Sequence, residues 1–342
     1  MVILSSVFAF VAVLVLTGFL YQWIGAQSDR RRYAGSGRWI AIGRGCKLYL
    51  LERGEGGPTV LFESGIAATN LNWCRIQQVV SQFTHTASYD RGGLGWSSKA
   101  NSARTPGNIA IELHTMLEAA GIKPPYVLVG HSFGGLIMRR YASLYPDEVS
   151  GVVLVDPMRC EEWPPLDPTK QATLDRGTRL TGYAIPIARF GLARLAVTSL
   201  LCRSGRISTF LAGAAGNGGK HVLGRIKDEV GKMPEEVWPI VAAHWSRPSY
   251  YVGMYSHVES VPATVREMLG TDPIFGIPVT LLTPGKSSPL CQLQLDQIGD
   301  NVQQVIAPAS AHWIHLDEPD LVIDSIREMV MASAPVAMPL SV

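Results

Sequence analysis

The apolar positions of this chain form one long run followed by many short ones. Val2 to Ile24 is almost wholly apolar, and the first charged side chain is Asp29. As a helix such a run is long enough to cross a hydrocarbon core. Tyr21 and Trp23 stand where interfacial aromatics sit, and Arg30, Arg31 and Arg32 follow at once. A cleaved signal peptide is the competing reading, with Gly25-Ala26 as a small-residue site. Against it, no Lys or Arg precedes the run, and the run is long for such a segment. The pattern therefore favours a retained single-pass anchor over residues 1–28. The arginines on its C-terminal side place the main domain in the cytoplasm; signal cleavage would make it a secreted protein.

After a polar linker near Ser28–Gly37 the short runs begin. Trp39–Ile42 and Lys47–Glu52 read as strands joined by a Gly43-Arg44-Gly45 turn, a hairpin. Thr59–Phe62, Thr84–Tyr89, Tyr126–Val129 and Gly151–Val155 read as buried strands, and Val279–Leu282 and Val302–Ile306 follow much later. A helix is legible between Thr105, its cap, and Gly121, its stop: Pro106 suits the first turn, and Ile109, Leu113, Met116 and Leu117 line one face. Pro319–Val330 reads as a closing helix. Strands alternating with helices predict an α/β fold with a mostly parallel sheet covered on both faces. The alternation lapses from Met158 to Pro278, a helix-prone stretch rich in Gly and Pro. The chain thus divides into an anchor (1–28), a core in two parts (29–157 and 279–342) and a helical insertion (158–278) placed as a lid. Within that insertion Ile185–Leu201 is very apolar. On one helix, however, Arg189 and Arg194 would lie far around from each other, so packing under the lid is expected rather than a membrane-surface stripe.

Composition sharpens this picture by exclusion. Apolar residues make up 47% of the chain and charged residues 17%, which suits a sizeable core and not a disordered chain. A net charge of +2 names no partner, and no basic run interleaved with aromatics marks a nucleic-acid groove. The five cysteines are scattered, with no Cys-x-x-Cys pair, as in a reducing compartment without a zinc site or disulfide framework.

The chemistry starts at Gly130-His131-Ser132-Phe133-Gly134, which follows a strand and opens a helix. In that setting G-x-S-x-G is a nucleophile elbow: a sharp turn needing small flanking residues, with a helix N-terminus aimed at a developing oxyanion. The elbow, Leu136 through Val149, and Gly151–Pro157 resemble the α/β-hydrolase superfamily, more narrowly its bacterial esterase-like and C–C-hydrolase-like branch. Tyr89-Asp90-Arg91-Gly92 through Gly95-Trp96-Ser97 is similar to that branch's loop after the fourth strand, and Ala311-His312-Trp313-Ile314 to its histidine loop.

The resemblance implies the α/β-hydrolase fold and a chain order of serine, acid, histidine. Ser132 is then the nucleophile and His312 the base, with His315 its close competitor. His131 would orient the turn. The acid departs from the commonest pattern, because the turn Thr283–Ser288 after the expected strand has no carboxylate. Asp156, at the end of the neighbouring strand, is the candidate, and Asp296 the reserve. The second oxyanion donor should come from Glu63-Ser64-Gly65-Ile66, making the N–H groups of Ile66 and Phe133 the pair; Asp90-Arg91 reads as a structural ion pair or turn. The expected reaction is acyl transfer from an ester-type, lipophilic small molecule through an acyl-enzyme, requiring no cofactor. Cleavage of a C–C bond or a peptide, as in proline iminopeptidases, is the alternative for the same residues. Haloalkane dehalogenase and epoxide hydrolase relatives carry an Asp nucleophile instead. An inactive, membrane-tethered binding protein on this fold is the rival from another class, and its one support is the absent carboxylate after Leu282.

Overall fold

The computed structural model describes residues 2–35, 37–160, 168–201, 224, 229–286 and 292–333. Eight strands form one sheet in the order β1-β2-β4-β3-β5-β6-β7-β8. They are β1 (Arg38–Ala41), β2 (Lys47–Arg53), β3 (Thr59–Glu63), β4 (Thr86–Asp90), β5 (Tyr126–His131), β6 (Val149–Val155), β7 (Val279–Pro284) and β8 (Val302–Ala307). The β1–β2 hairpin is antiparallel and joins β4 antiparallel; from β4 onward every pairing is parallel.

Strands β3, β4, β5 and β7 are buried at every position because both faces are covered. Leu128, Val152 and Leu154 point to one layer, where α3 (Pro106–Ala120) and α4 (Phe133–Leu144) pack with Leu113, Met116, Met138 and Tyr141. Val127, Val129, Val153 and Val155 point the other way, to α2 (Cys74–Val80) and α12 (Pro319–Ser333) through Ile76, Val322, Ile326 and Met329. Gly151 leaves the room that the Met329 thioether fills. As expected, α3 has Pro106 in its first turn and ends at Gly121, whose φ of 76° only glycine adopts freely. Thr105 occupies the cap position without a side-chain hydrogen bond.

Two expectations are corrected. The first is the linker: α1 runs unbroken over Val2–Tyr33, past Ser28. Nothing in Asp29-Arg30-Arg31-Arg32 stops a helix, and cations in the last turn suit its negative end. The chain turns only at Gly35, with φ 54°. The second concerns the segment between β6 and β7, whose described residues hold α5 (Pro168–Arg189), α6 (Leu192–Leu201), α7 (Trp238–Trp245), α8 (Pro248–Glu259) and α9 (Val261–Leu269). Arg189 and Arg194 do not share a helix, because Gly191, with φ 77°, opens a 94° bend between α5 and α6. Leu174, Thr181 and Ala188 face inward, whereas Leu180, Tyr183, Ile187 and Phe190 are exposed. Within Ile185–Leu201 the outcome is split: Leu201, with Val197 and Leu200, packs inside the insertion, whereas Ile187, Phe190, Leu192 and Leu195 are exposed.

Candidate active site

The site gathers where the parallel strands end. Ser132 follows β5 with φ 53° and ψ −119°, a conformation that costs a non-glycine residue roughly 1–3 kcal/mol and persists only where the surroundings impose it. They do so here. The Ser132 N–H donates to the Val155 carbonyl at 3.1 Å, and the Ser132 carbonyl accepts from the N–H groups of Gly135 (3.0 Å) and Met158 (3.1 Å). The glycines have specific tasks. A Cβ on Gly130 would strike the Gly134 carbonyl at 2.6 Å, and one on Gly134 would strike the Glu63 carbonyl at 2.5 Å. The elbow is thereby pressed against the loop that follows β3.

Asp156 follows the last residue of β6 and also carries a positive φ, 41°. Its N–H donates to the Leu282 carbonyl at 2.9 Å, which makes it the last rung beside β7. The turn points its carboxylate at the histidine loop: His312 Nδ1 lies 2.7 Å from Asp156 Oδ2. With Nδ1 so engaged, the tautomer is fixed by the carboxylate and Nε2 is the ring nitrogen turned away from it. The His312 side chain is 46% exposed and so reachable by a substrate, whereas Asp156 is 19% exposed. Asp296, at the end of α10 (Gln292–Asp296), is exposed, and the carboxylate on His312 is that of Asp156.

The other two histidines support this pair. His131 is buried, and its Nε2–H donates to the His312 carbonyl at 2.9 Å, tying the residue before the serine to the histidine loop. Burial holds His131 well below the ordinary imidazole range, and the neighbouring imidazoles of His315 and His312 add to that. His315 sits in the short α11 (Ile314–Asp317), 2% exposed, between Trp73 and His131. Neither of its ring nitrogens has a hydrogen-bond partner, and burial pushes its pKa down to about 3. A group so enclosed and neutral has no access to a substrate. Glu318 accepts from the Ala309 N–H (3.0 Å) and the Ser310 hydroxyl (2.7 Å), closing the base of the same loop.

Phe133 opens α4, so its N–H is among those a helix leaves unpaired. Ile66 is half-buried in the loop after β3. A Cβ on the preceding Gly65 would lie 3.4 Å from the Ser132 Cβ, so this loop passes directly beside Ser132. Its geometry is set by a residue given a different role from the sequence. Arg91 does not pair with Asp90. Its Nη1 donates to Glu63 Oε1 at 2.8 Å and to the Ser64 carbonyl, and its Nη2 donates to the Gly65 carbonyl. Glu63 also accepts from the Ser64 N–H (3.0 Å) and from the Tyr89 hydroxyl. Burial still raises the Glu63 carboxyl against the pull of Arg91. The one hint in the sequence was a glutamate at the end of an otherwise apolar strand. Asp90 accepts from the N–H groups of Asn70 (3.1 Å) and Trp96 (2.9 Å), and burial raises its pKa to about 6. Among the described residues no group of three His, Cys, Asp or Glu side chains is arranged to hold a metal ion.

A mostly parallel sheet with a strained serine elbow at the C-terminal end of a central strand defines the α/β-hydrolase fold. Residues 58–195 match the family model described as alpha/beta hydrolase fold. The chain is 33% identical over 114 residues to the uncharacterized protein YqjL of Bacillus subtilis, covering 33% of this chain and 45% of that one. It is 38% identical over 74 residues to a (lyso)-N-acylphosphatidylethanolamine lipase of Bos taurus, 20% of this chain and 21% of that one. It therefore spans under half the length of these curated relatives. Among solved structures it is similar to the epoxide hydrolase CorEH, with a TM-score of 0.62 at 17% identity over 86% of this chain and 98% of that one, a likeness of fold alone. The chain has the α/β-hydrolase fold, and its similarity to that family lies in residues 58–195.

Proposed function

We propose that this hydrolase is a membrane-anchored serine hydrolase cleaving ester-type substrates through an acyl-enzyme. The observation that carries the reading is the 2.7 Å contact between His312 and Asp156, one residue beyond the strand beside the Ser132 elbow. In this mechanism His312 Nε2 takes the Ser132 proton as the hydroxyl attacks the substrate carbonyl. Asp156 holds the tautomer and stabilises the imidazolium, and the N–H groups of Phe133 and Ile66 receive the oxyanion. The imidazolium protonates the leaving alcohol. Water, deprotonated by the same nitrogen, then releases the acid and the serine. Asp156 supplies the carboxylate that the turn after β7 lacks, which removes the main support for an inactive binding protein. A serine at the elbow also disfavours the epoxide-opening chemistry of the structural neighbour.

Membrane attachment rests on α1, whose most apolar stretch has a mean hydropathy of 2.5; a signal sequence passes the same test of length and composition. Retention is supported by the packing of α1 on the insertion, where Arg194 Nη1 lies 2.6 Å from Asp29 Oδ2. The three arginines at its C-terminal end favour a cytoplasmic catalytic domain.

The test is labelling of the full chain by a fluorophosphonate probe, with and without Ser132→Ala. Labelling at Ser132, and a loss of turnover on the order of 10⁶ in the folded variant, are expected. A folded Ser132→Ala variant that still hydrolyses esters at a few per cent of the parent rate would overturn the mechanism. Carbonate washing of membranes tests the anchor separately: a mature N-terminus just after Ala26 would show cleavage.

A further inference from the structure

We propose that the corner between α5 and α6 lies in the lipid bilayer beside α1, so that the insertion over the active site is itself a membrane-embedded surface. This rests on the reading of α1 as a retained span. The apolar run from Val2 to Ile24 would extend about 34 Å as a helix, a little more than a hydrocarbon core of about 30 Å.

The corner is fixed at a definite level along that helix. A Cβ on Gly18 would meet the Phe190 carbonyl at 2.5 Å, and one on Gly191 would meet the Tyr21 ring at 2.7 Å. Arg194 lies further along, with its Nε donating to Gln22 Oε1 at 3.0 Å and its Nη1 to Asp29 Oδ2. The start of α6 therefore runs beside α1 in the same direction, and the one charged side chain of α6, Arg194, reaches the first charged residue of α1, Asp29. Six residues separate Gly18 from Ile24, which puts Phe190 about 9 Å inside the apolar run, the depth to which interfacial helices bury their apolar faces.

The side chains at that level suit lipid. Across the 94° bend, α5 lies nearly crosswise to α6. It presents Leu180, Tyr183 and Ile187 at 59, 68 and 46% exposure, at i, i+3 and i+7 on one face, and Phe190, just past its end, is 40% exposed. Leu192 and Leu195 of α6 continue the patch at 57 and 42%. Contiguous exposed apolar groups of this size are unfavourable in water and mark a binding surface. Continuity with α1 names the occupant, because the corner touches the anchor within its apolar run. Arg189 is exposed beside the corner, and its long stem allows the guanidinium to reach back to the headgroups.

The test places a photo-reactive benzoylphenylalanine at single positions of the full chain reconstituted in phosphatidylcholine–phosphatidylglycerol vesicles. The positions are Leu14 of α1, Ile187 of the corner, and Ile111 of α3, which is exposed in the core domain. Lipid adducts are expected at Leu14 and Ile187, at about tenfold the yield found at Ile111, as for an apolar face held in the acyl boundary. Adducts at Leu14 but not at Ile187 would overturn the proposal and leave the anchor standing. Crosslinking of Ile187 to a second copy of the chain would overturn it in favour of a dimer interface. No lipid adduct at Leu14 would remove the anchor and this proposal together.

Discussion

Arg91 and Arg194 each lie buried against a carboxylate, Glu63 at 2.8 Å and Asp29 at 2.6 Å, yet they hold regions of different kinds. Arg91 is enclosed by a single loop and the strand ends beneath it, and both members of its pair are 1% exposed. Arg194 joins a helix of the insertion to the N-terminal helix, with Asp29 17% exposed at the end of an apolar run. One pair fixes a few backbone atoms beside the elbow. The other ties the outward-facing corner of the insertion to α1. In the first region the geometry bears on the proposed chemistry; in the second it bears on the proposed contact with the bilayer. Perturbing each region should therefore fail differently, in turnover and stability at the sheet edge, and in local order at the corner.

The sharpest break falls on the acid. Asp156→Asn keeps the shape but leaves His312 Nδ1 without its carboxylate, and turnover should fall by roughly 10⁴ through the wrong tautomer. Asp296→Asn should do far less against the same ester, with circular dichroism confirming both folds. Sensitivity at Asp296 and not at Asp156 would reassign the third member while leaving Ser132 and His312 in place.

A pH series separates the two candidate bases. The folded-state pKa of His315, about 3, lies below the ordinary value of about 6.5. A base depressed in this way contributes stability that is fully present above about 6.5 and is lost as pH falls towards 3, by several kcal/mol. Asp90 acts in the opposite sense: raised to about 6, it favours the folded state below about 4, a contribution lost as pH rises through 6. His315→Phe fits the slot between Trp73 and His131 without losing a hydrogen bond. The difference between its urea-midpoint profile and the parent's should isolate the His315 window, with ester turnover largely kept. Collapse of turnover in His315→Phe, with His312→Ala still active, would exchange their roles.

What the sequence made legible was local. The elbow is five consecutive residues whose types the turn requires, and its setting between a strand and a helix is readable from the flanking pattern. His312 and Asp156 were placed by chain order and by strand ends, rules of topology that need no contact information. The Glu63–Arg91 pair escaped because its members are 28 residues apart and meet only once β3 and β4 lie side by side. Asp90, the adjacent partner assumed for Arg91, spends its oxygens on backbone N–H groups instead. The outward face of α5 escaped for another reason: the spacing of Arg189 and Arg194 was judged on one helix, and Gly191 divides it into two. Propensity did not reveal that bend, since glycine inside an apolar helical run is tolerated at about 1 kcal/mol.

Removing Arg91 strands a buried carboxylate. Arg91→Met should cost about 3–5 kcal/mol of global stability, the scale for breaking one side of a buried pair. It should also lower turnover, because the Ser64 and Gly65 carbonyls lose their donor and the Ile66 N–H is no longer aimed. Urea denaturation and ester kinetics on one preparation check both. Unchanged stability would mean that Glu63 simply takes up a proton and the loop is held by Tyr89 and Ser64 alone.

The smallest effect is expected at the other arginine, and it tests whether the contrast between the two regions is real. Arg194→Ala removes two charge-assisted hydrogen bonds, to Gln22 and Asp29, from a site that is partly wet. Bonds to charged groups of this kind contribute about 1.5–3 kcal/mol. Because they join two elements and do not lie inside one, the loss should appear as local opening and not as a fall in global stability. Hydrogen exchange of the full chain in vesicles should show amides of the α5–α6 corner exchanging roughly ten- to a hundredfold faster, while β5 and α4 stay protected. Asp29→Ala should reproduce the change, and the double variant should add little, since partners in one ion pair are not independent. If the corner keeps its protection in both variants, packing of Phe190 and Gly191 on Gly18 and Tyr21 is what holds the insertion to α1. If instead β5 and α4 lose protection too, the corner is part of the same cooperative unit as the sheet edge, and the two regions are not separable.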